Sequence, residues 1–97
     1  MKNHVLDFPS DYDDDAPIIE SKGWYPGATL IFSGRRYNLV FYDPVRLGQV
    51  AHSYIQGGPC FFEPNLIVIG SVTRPNMEEA VTWMIESGSV KSLVPEQ

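Results

Sequence analysis

Three segments of this chain are dense in β-branched, aromatic and aliphatic residues without regular polar alternation: residues 28–32, 37–42 and 66–72. A strand that is apolar at successive positions is buried on both of its faces. These segments therefore predict a sheet that needs cover on both sides. Two predicted helices of about twelve residues cover one side, and the other side needs the N-terminal segment, a second copy or a different protein.

The first half of the predicted fold is a hairpin followed by a helix. Residues 33–36 contain a glycine that tolerates positive φ, so they predict the turn between the first two strands. Asp43 is a good N-cap, and Pro44 suits the first helical position because its missing N–H is not needed there. Apolar residues recur at three- and four-residue spacing over 47–55, and the glycines at 57–58 end the helix in the left-handed C′ conformation.

The second half repeats this pattern. Residues 60–62 and 66–72 predict a second strand pair, joined by a Glu-Pro-Asn turn. Pro75 opens a second helix with its own apolar stripe, and Gly88 closes it. Residues 90–94 predict a last edge strand. Together the halves predict an α+β fold: an antiparallel sheet of two hairpin–helix (ββα) units with two helices on one face.

The N-terminal residues differ from the rest in composition. Residues 9–27 are rich in turn formers and predict an extended segment with a short strand at Ile18–Ile19. Residues 1–20 hold six acidic residues against Lys2 alone, so they carry the whole net charge of −5, while the remaining six acids and six bases balance. We therefore expect an acidic, partly extended arm over residues 1–23 and one compact α+β domain over residues 24–97.

Charge and cysteine content restrict the possible partners and the compartment. An acidic arm repels phosphate backbones, which disfavours direct binding to nucleic acid, and it attracts a basic protein. Cys60 is the only cysteine, so no internal disulfide forms and a reducing compartment is expected. The N-terminus lacks the apolar run of a signal peptide, and the longest apolar stretch is far too short to cross a bilayer. We expect a cytoplasmic protein that does not contact a membrane.

No residue pattern predicts catalysis, a metal site or a cofactor. The aspartates at 11–15 fail as a calcium loop, because Ala16 stands where glycine is needed and Lys22 stands where a bidentate glutamate belongs. Cys60 with His52 or His4 makes a poor nucleophile–base pair, since the cysteine begins a predicted strand and is expected to be a buried structural residue. No glycine-rich phosphate loop is present.

A binding surface is the remaining candidate. Aromatic residues beside acidic ones are typical of protein–protein hot spots, where the ring anchors a partner and the charge steers it. The alternative is that Trp24 and Tyr25 cover the open face of the sheet. The predicted partner-binding residues are Asp11, Tyr12, Asp13, Asp14, Asp15, Glu20, Trp24 and Tyr25.

In size, acidity, cysteine content and lack of catalytic motifs, the chain resembles small acidic bacterial immunity proteins, which inhibit toxins. The resemblance is one of overall character and of the acidic, aromatic-bearing arm, with no family motif. It implies a non-enzymatic inhibitor that binds and occludes a basic toxin or nuclease domain. The alternatives are a homodimeric structural or adaptor domain and a small-molecule-binding module, with an enzyme of unrecognised type last.

Overall fold

The computed structural model describes residues 3–97, so Met1 and Lys2 of the predicted arm lie outside the described part. The elements follow one another in this order: β1 (His4–Asp7), α1 (Tyr12–Lys22), β2 (Trp24–Phe32), β3 (Arg35–Tyr42), α2 (Pro44–Gly57), β4 (Leu66–Val68), α3 (Arg74–Ser87) and a 3₁₀ helix (Ser89–Ser92). The α+β class is confirmed. Among the described residues, no helix is long and apolar enough to cross a membrane.

The four strands form one mixed sheet in the order β1-β2-β3-β4. The β2–β3 hairpin is confirmed, and its two-residue turn has positive φ at both Ser33 (51°) and Gly34 (75°). β1 adds to β2 antiparallel, whereas β4 pairs with β3 in the parallel direction. The prediction of a wholly antiparallel sheet is therefore wrong, because β3, α2 and β4 form a crossover connection rather than a second hairpin.

The predicted strand at residues 60–62 is absent because this segment makes other contacts. Phe61 packs its ring against Tyr42 and Tyr54, with centroid distances of 6.2 and 5.0 Å. Glu63 accepts a hydrogen bond from the Tyr42 hydroxyl at 2.9 Å. Asn65 then turns the chain with a φ of 59°, and only three residues of the predicted 66–72 strand pair with β3.

The N-terminal segment also differs from the extended arm that was predicted. Residues 12–22 form a helix although Pro17 lies inside it. Tyr12 and Ile19 are buried and Ala16 packs against the core. The helix is therefore stabilised because its apolar face packs on the sheet. Gly23 ends it in the left-handed conformation. The expected strand at Ile18–Ile19 is therefore wrong.

The core lies on one face of the sheet. Leu30, Leu39 and Phe41 are fully buried there beneath α1, α3 and the 3₁₀ helix, which contributes Val90 instead of the predicted edge strand. Beyond the 3₁₀ helix, the C-terminal tail reaches the first residues of β3, which β4 does not pair with, and the Glu96 N–H donates there to the Arg36 carbonyl at 2.7 Å.

Helix α2 does not share this face. Successive strand residues point to opposite sides of a sheet, so Tyr42 points away from the side that Phe41 faces. Tyr42 is buried but lies outside the core cluster, and it packs on Phe61, which also contacts Tyr54 of α2. The prediction that α2 and α3 lie together on one face is therefore wrong: α3 shares the core face with α1, and α2 lies on the other side.

Candidate functional site

The acidic residues of the predicted site lie at the exposed start of α1. Asp11 occupies the N-cap position without a side-chain capping bond, and Asp13, Asp14 and Asp15 fill the first turn. Carboxylates here complement the positive end of the helix dipole. Glu20 is exposed further along the same helix. The structure thus brings the five predicted carboxylates onto one helix rather than an extended arm.

Two aromatic residues of the predicted site are part of the core instead. Tyr12 and Tyr25 are buried and pack edge to face, with ring centroids 5.3 Å apart, and Phe8 packs against both. Burial raises the pKa of both tyrosine hydroxyls above the ordinary value of 10.0. These rings hold α1 on the sheet and present little surface to a partner.

Trp24 is half-buried at the start of β2. It stands opposite Tyr42 in the antiparallel register, on the side of the sheet where α2 lies. Its indole N–H is buried and has no hydrogen-bond acceptor among residues 3–97. The structure therefore separates Trp24 from the carboxylates of α1, which lie beyond the opposite face.

Arg74 joins the start of α3 to α1. Its guanidinium carbon lies 4.5 Å above the centroid of the Phe8 ring, close enough for a cation–π interaction. The same guanidinium is 3.9 Å from Asp13 and 3.6 Å from Glu78. Asp13, Glu20 and Arg74 line a groove of about 300 Å³ between the two helices.

Helix α3 adds acidic residues that were not predicted as part of the site. From the sequence, Glu78 and Glu79 resemble ordinary glutamates near the start of a helix. In the structure α3 lies beside α1, so these two carboxylates extend the acidic surface of α1. With Asp11, helices α1 and α3 hold eight of the chain's twelve acidic residues and two of its seven basic residues, and all eight acids are exposed. We call this surface the acidic helix face: Asp11, Asp13, Asp14, Asp15, Glu20, Glu78, Glu79 and Glu86.

An exposed tryptophan borders the acidic helix face. Trp83 is 61% exposed and lines an open groove of about 620 Å³ together with Glu79 and Glu86, which lie four residues before it and three after it. The signal for this residue was available in the sequence, because Trp83 falls outside the apolar stripe of its helix. The groove places an aromatic ring between two carboxylates.

The structure places His52 on α2 and Cys60 in the loop that follows it. Cys60 is exposed rather than buried, which corrects the expectation of a structural core residue. His52 contacts Gln56, at 3.0 Å between the ring Nε2 and the amide nitrogen. Among residues 3–97, no three His, Cys, Asp or Glu side chains are grouped so as to hold a metal ion.

Comparison with protein-family models, with curated proteins and with solved structures gave no match for this chain. The assignment of the candidate site therefore depends on its geometry and electrostatics alone.

Proposed function

We propose that the chain is a non-enzymatic inhibitor that binds a basic protein domain through the acidic helix face. The observation that carries this proposal is the density of exposed carboxylates with few internal partners. The two ion pairs made by this face within residues 3–97 both involve Arg74. Like charges three or four residues apart on a helix repel each other and reduce stability, so their clustering favours an external role.

The proposed mechanism is occlusion of a basic cleft. Carboxylates one helical turn apart have Cβ atoms about 5–6 Å from each other, so Asp11 places a negative charge close to those of Asp14 and Asp15 at the start of α1. A cleft that binds the phosphates of a nucleic acid or nucleotide is lined with Lys and Arg. The acidic helix face would occupy that cleft and exclude the substrate, as the resemblance to immunity proteins implies.

The first experiment identifies the partner. The intact chain is used to capture proteins from the cells that produce it, and the captured partner is tested for toxin or nuclease activity with and without the chain. We expect a basic domain whose activity falls in proportion to the added inhibitor. A partner with an acidic surface, or one whose activity is unchanged, would argue against inhibition by this face.

The second experiment locates the binding face by matched charge removal. Asp14→Asn with Asp15→Asn removes two charges from the acidic helix face, while Asp7→Asn with Glu96→Gln removes two exposed charges elsewhere. Because exposed charges act mainly on the association rate, we expect the first pair of substitutions to slow association at low salt and to flatten its salt dependence. Equal effects of both pairs would show that only net charge matters.

A further inference from the structure

The region from helix α2 to the following loop is uncharged and largely uncovered. Residues 47–62 contain no Asp, Glu, Lys or Arg, and this is the longest such stretch in the chain. Residues 52–60 are exposed without interruption. Tyr54 and Ile55 are 59% and 56% exposed, and Phe62 is 81% exposed. A run of this kind is unusual on the surface of a chain in which one residue in five is charged.

Helix α2 is only partly packed against the rest of the chain. Its apolar residues recur at helical spacing, yet none of its side chains is buried. Leu47, Val50 and Ala51 are half-buried, and the ring of Tyr54 rests on Phe61. Part of the apolar face of α2 therefore stays exposed, because the other described residues do not cover it.

The exposed apolar area supplies most of what a stable dimer requires. With about 200 Å² for a whole aromatic side chain, Phe62 and Tyr54 together leave roughly 280 Å² in water, and Ile55 raises this to about 380 Å². An ordinary interface buries about 800 Å² on each partner, and about 65% of a homodimer interface is apolar, which is about 500 Å². We call these three residues, Tyr54, Ile55 and Phe62, the α2 patch.

Charge distribution favours a second copy of this chain as the occupant. Each chain carries a net charge of −5, so two copies repel unless they meet where carboxylates are absent. The acidic helix face lies over the Phe41 side of the sheet, whereas α2 lies on the Tyr42 side. Two copies that meet at α2 would turn their acidic helix faces away from each other.

We propose that the α2 patch joins two copies of the chain around a two-fold axis, so that each copy contributes the same residues. This inference does not depend on the proposed function. The resulting dimer would present two acidic helix faces, one on each outer side. The patch differs from the open sheet face that the sequence suggested as the dimer surface, because α2 and Phe61 already cover part of that face.

The test is the mass of the intact chain in solution over a wide range of concentration, by sedimentation equilibrium. We expect a concentration-dependent approach to twice the monomer mass of 10.9 kDa. Ile55→Glu should raise the dissociation constant at least tenfold. Ile18→Glu is the matched control, since Ile18 is 55% exposed on α1 and lies among the carboxylates, and it should leave the dissociation constant within twofold of the unmodified chain.

Phe62→Glu provides a second variant outside any helix, where a loss of fold is not expected from an exposed loop position. A monomer at every concentration of the unmodified chain would overturn the proposal. Equal weakening by Ile55→Glu and Ile18→Glu would overturn it as well, because added charge anywhere would then explain the result. Binding to a basic partner is measured separately, so either proposal can fail alone.

Discussion

The Tyr42 hydroxyl donates a hydrogen bond to the Glu63 carboxylate at 2.9 Å, which ties the loop after α2 to the end of β3. Burial, reinforced by the hydrogen bond to Glu63, raises the pKa of this hydroxyl to about 12. The folded protein therefore holds the neutral phenol more strongly than the unfolded chain does, where the pKa is near 10.0.

Tyr42→Phe tests this bond and its pH dependence. Below pH 10 the substitution should cost about 1.5–3 kcal/mol of unfolding free energy, because a hydrogen bond to a charged group is lost. A raised tyrosine pKa contributes stability that is complete below the unfolded-state value and is lost as the pH rises toward the folded-state value. The advantage of the unmodified chain should therefore shrink by about 2 kcal/mol from pH 10 to 12.

Urea unfolding of both proteins at several pH values measures this difference. Tyr12 and Tyr25 also have raised pKa values, but they are present in both proteins and cancel. A difference that stays constant to pH 12 would show that the Tyr42 hydroxyl does not titrate as stated.

Gly23 and Gly48 should respond in opposite ways to alanine. Gly23 has a φ of 69°, and a Cβ there would collide with the carboxylate of Asp43. Its carbonyl also accepts the Asp43 N–H at 2.9 Å. Gly23→Ala should cost at least about 2 kcal/mol through left-handed strain and the collision.

Gly48 lies inside α2, and a Cβ there would meet nothing within 4 Å. Gly48→Ala should stabilise the monomer by up to about 1 kcal/mol, since alanine is the better helix former. Thermal unfolding at low protein concentration compares the two variants. A destabilising Gly48→Ala would mean that this position is packed in the monomer.

Replacing apolar side chains of α3 by alanine should reduce the free energy of unfolding by different amounts at different positions. Met77 is fully buried, so Met77→Ala should cost about 2–5 kcal/mol. Ile85 is only half-buried on the same helix, so Ile85→Ala should cost clearly less. Denaturant unfolding of both variants gives the comparison, and equal losses would contradict the observed orientation of the helix.

Removal of residues 1–22 should abolish folding. This deletion takes away β1 and α1, and with them Leu6, Tyr12 and Ile19 from the core. The shortened chain should show no cooperative unfolding transition by circular dichroism. A cooperative transition close to that of the full chain would mean that the N-terminal segment is not needed for the core.

The sequence predicted the elements whose signals are local. The β2–β3 hairpin follows from its turn glycine, and Asp43 caps α2 by accepting the Arg46 N–H at 2.7 Å. Thr73 caps α3 in the same way, by accepting the Asn76 N–H, although only Pro75 had been taken as the start of this helix. In these places the residue types that favour a conformation are next to each other in the chain, so no tertiary information is required.

The features that were missed depend on contacts between distant residues. Pro17 argues against a helix locally, but burial of Tyr12 and Ile19 on the sheet outweighs it. The same burial removes Tyr12 from the exposed surface, while the neighbouring aspartates remain in water. The joint position of the α1 and α3 carboxylates could not be predicted, because it follows from where both helices lie on the sheet.

The parallel pairing of β4 with β3 has a consequence for the order of folding. β2 and β3 are antiparallel neighbours joined by a two-residue turn. Val40 and Leu66, by contrast, are register partners across 26 residues of chain, and the intervening helix is weakly packed. Closing so long a loop costs conformational entropy, so the β3–β4 pairing is expected to form late in folding. We therefore expect substitutions in β4 to alter mainly the unfolding rate, and substitutions in the β2–β3 hairpin to alter the folding rate.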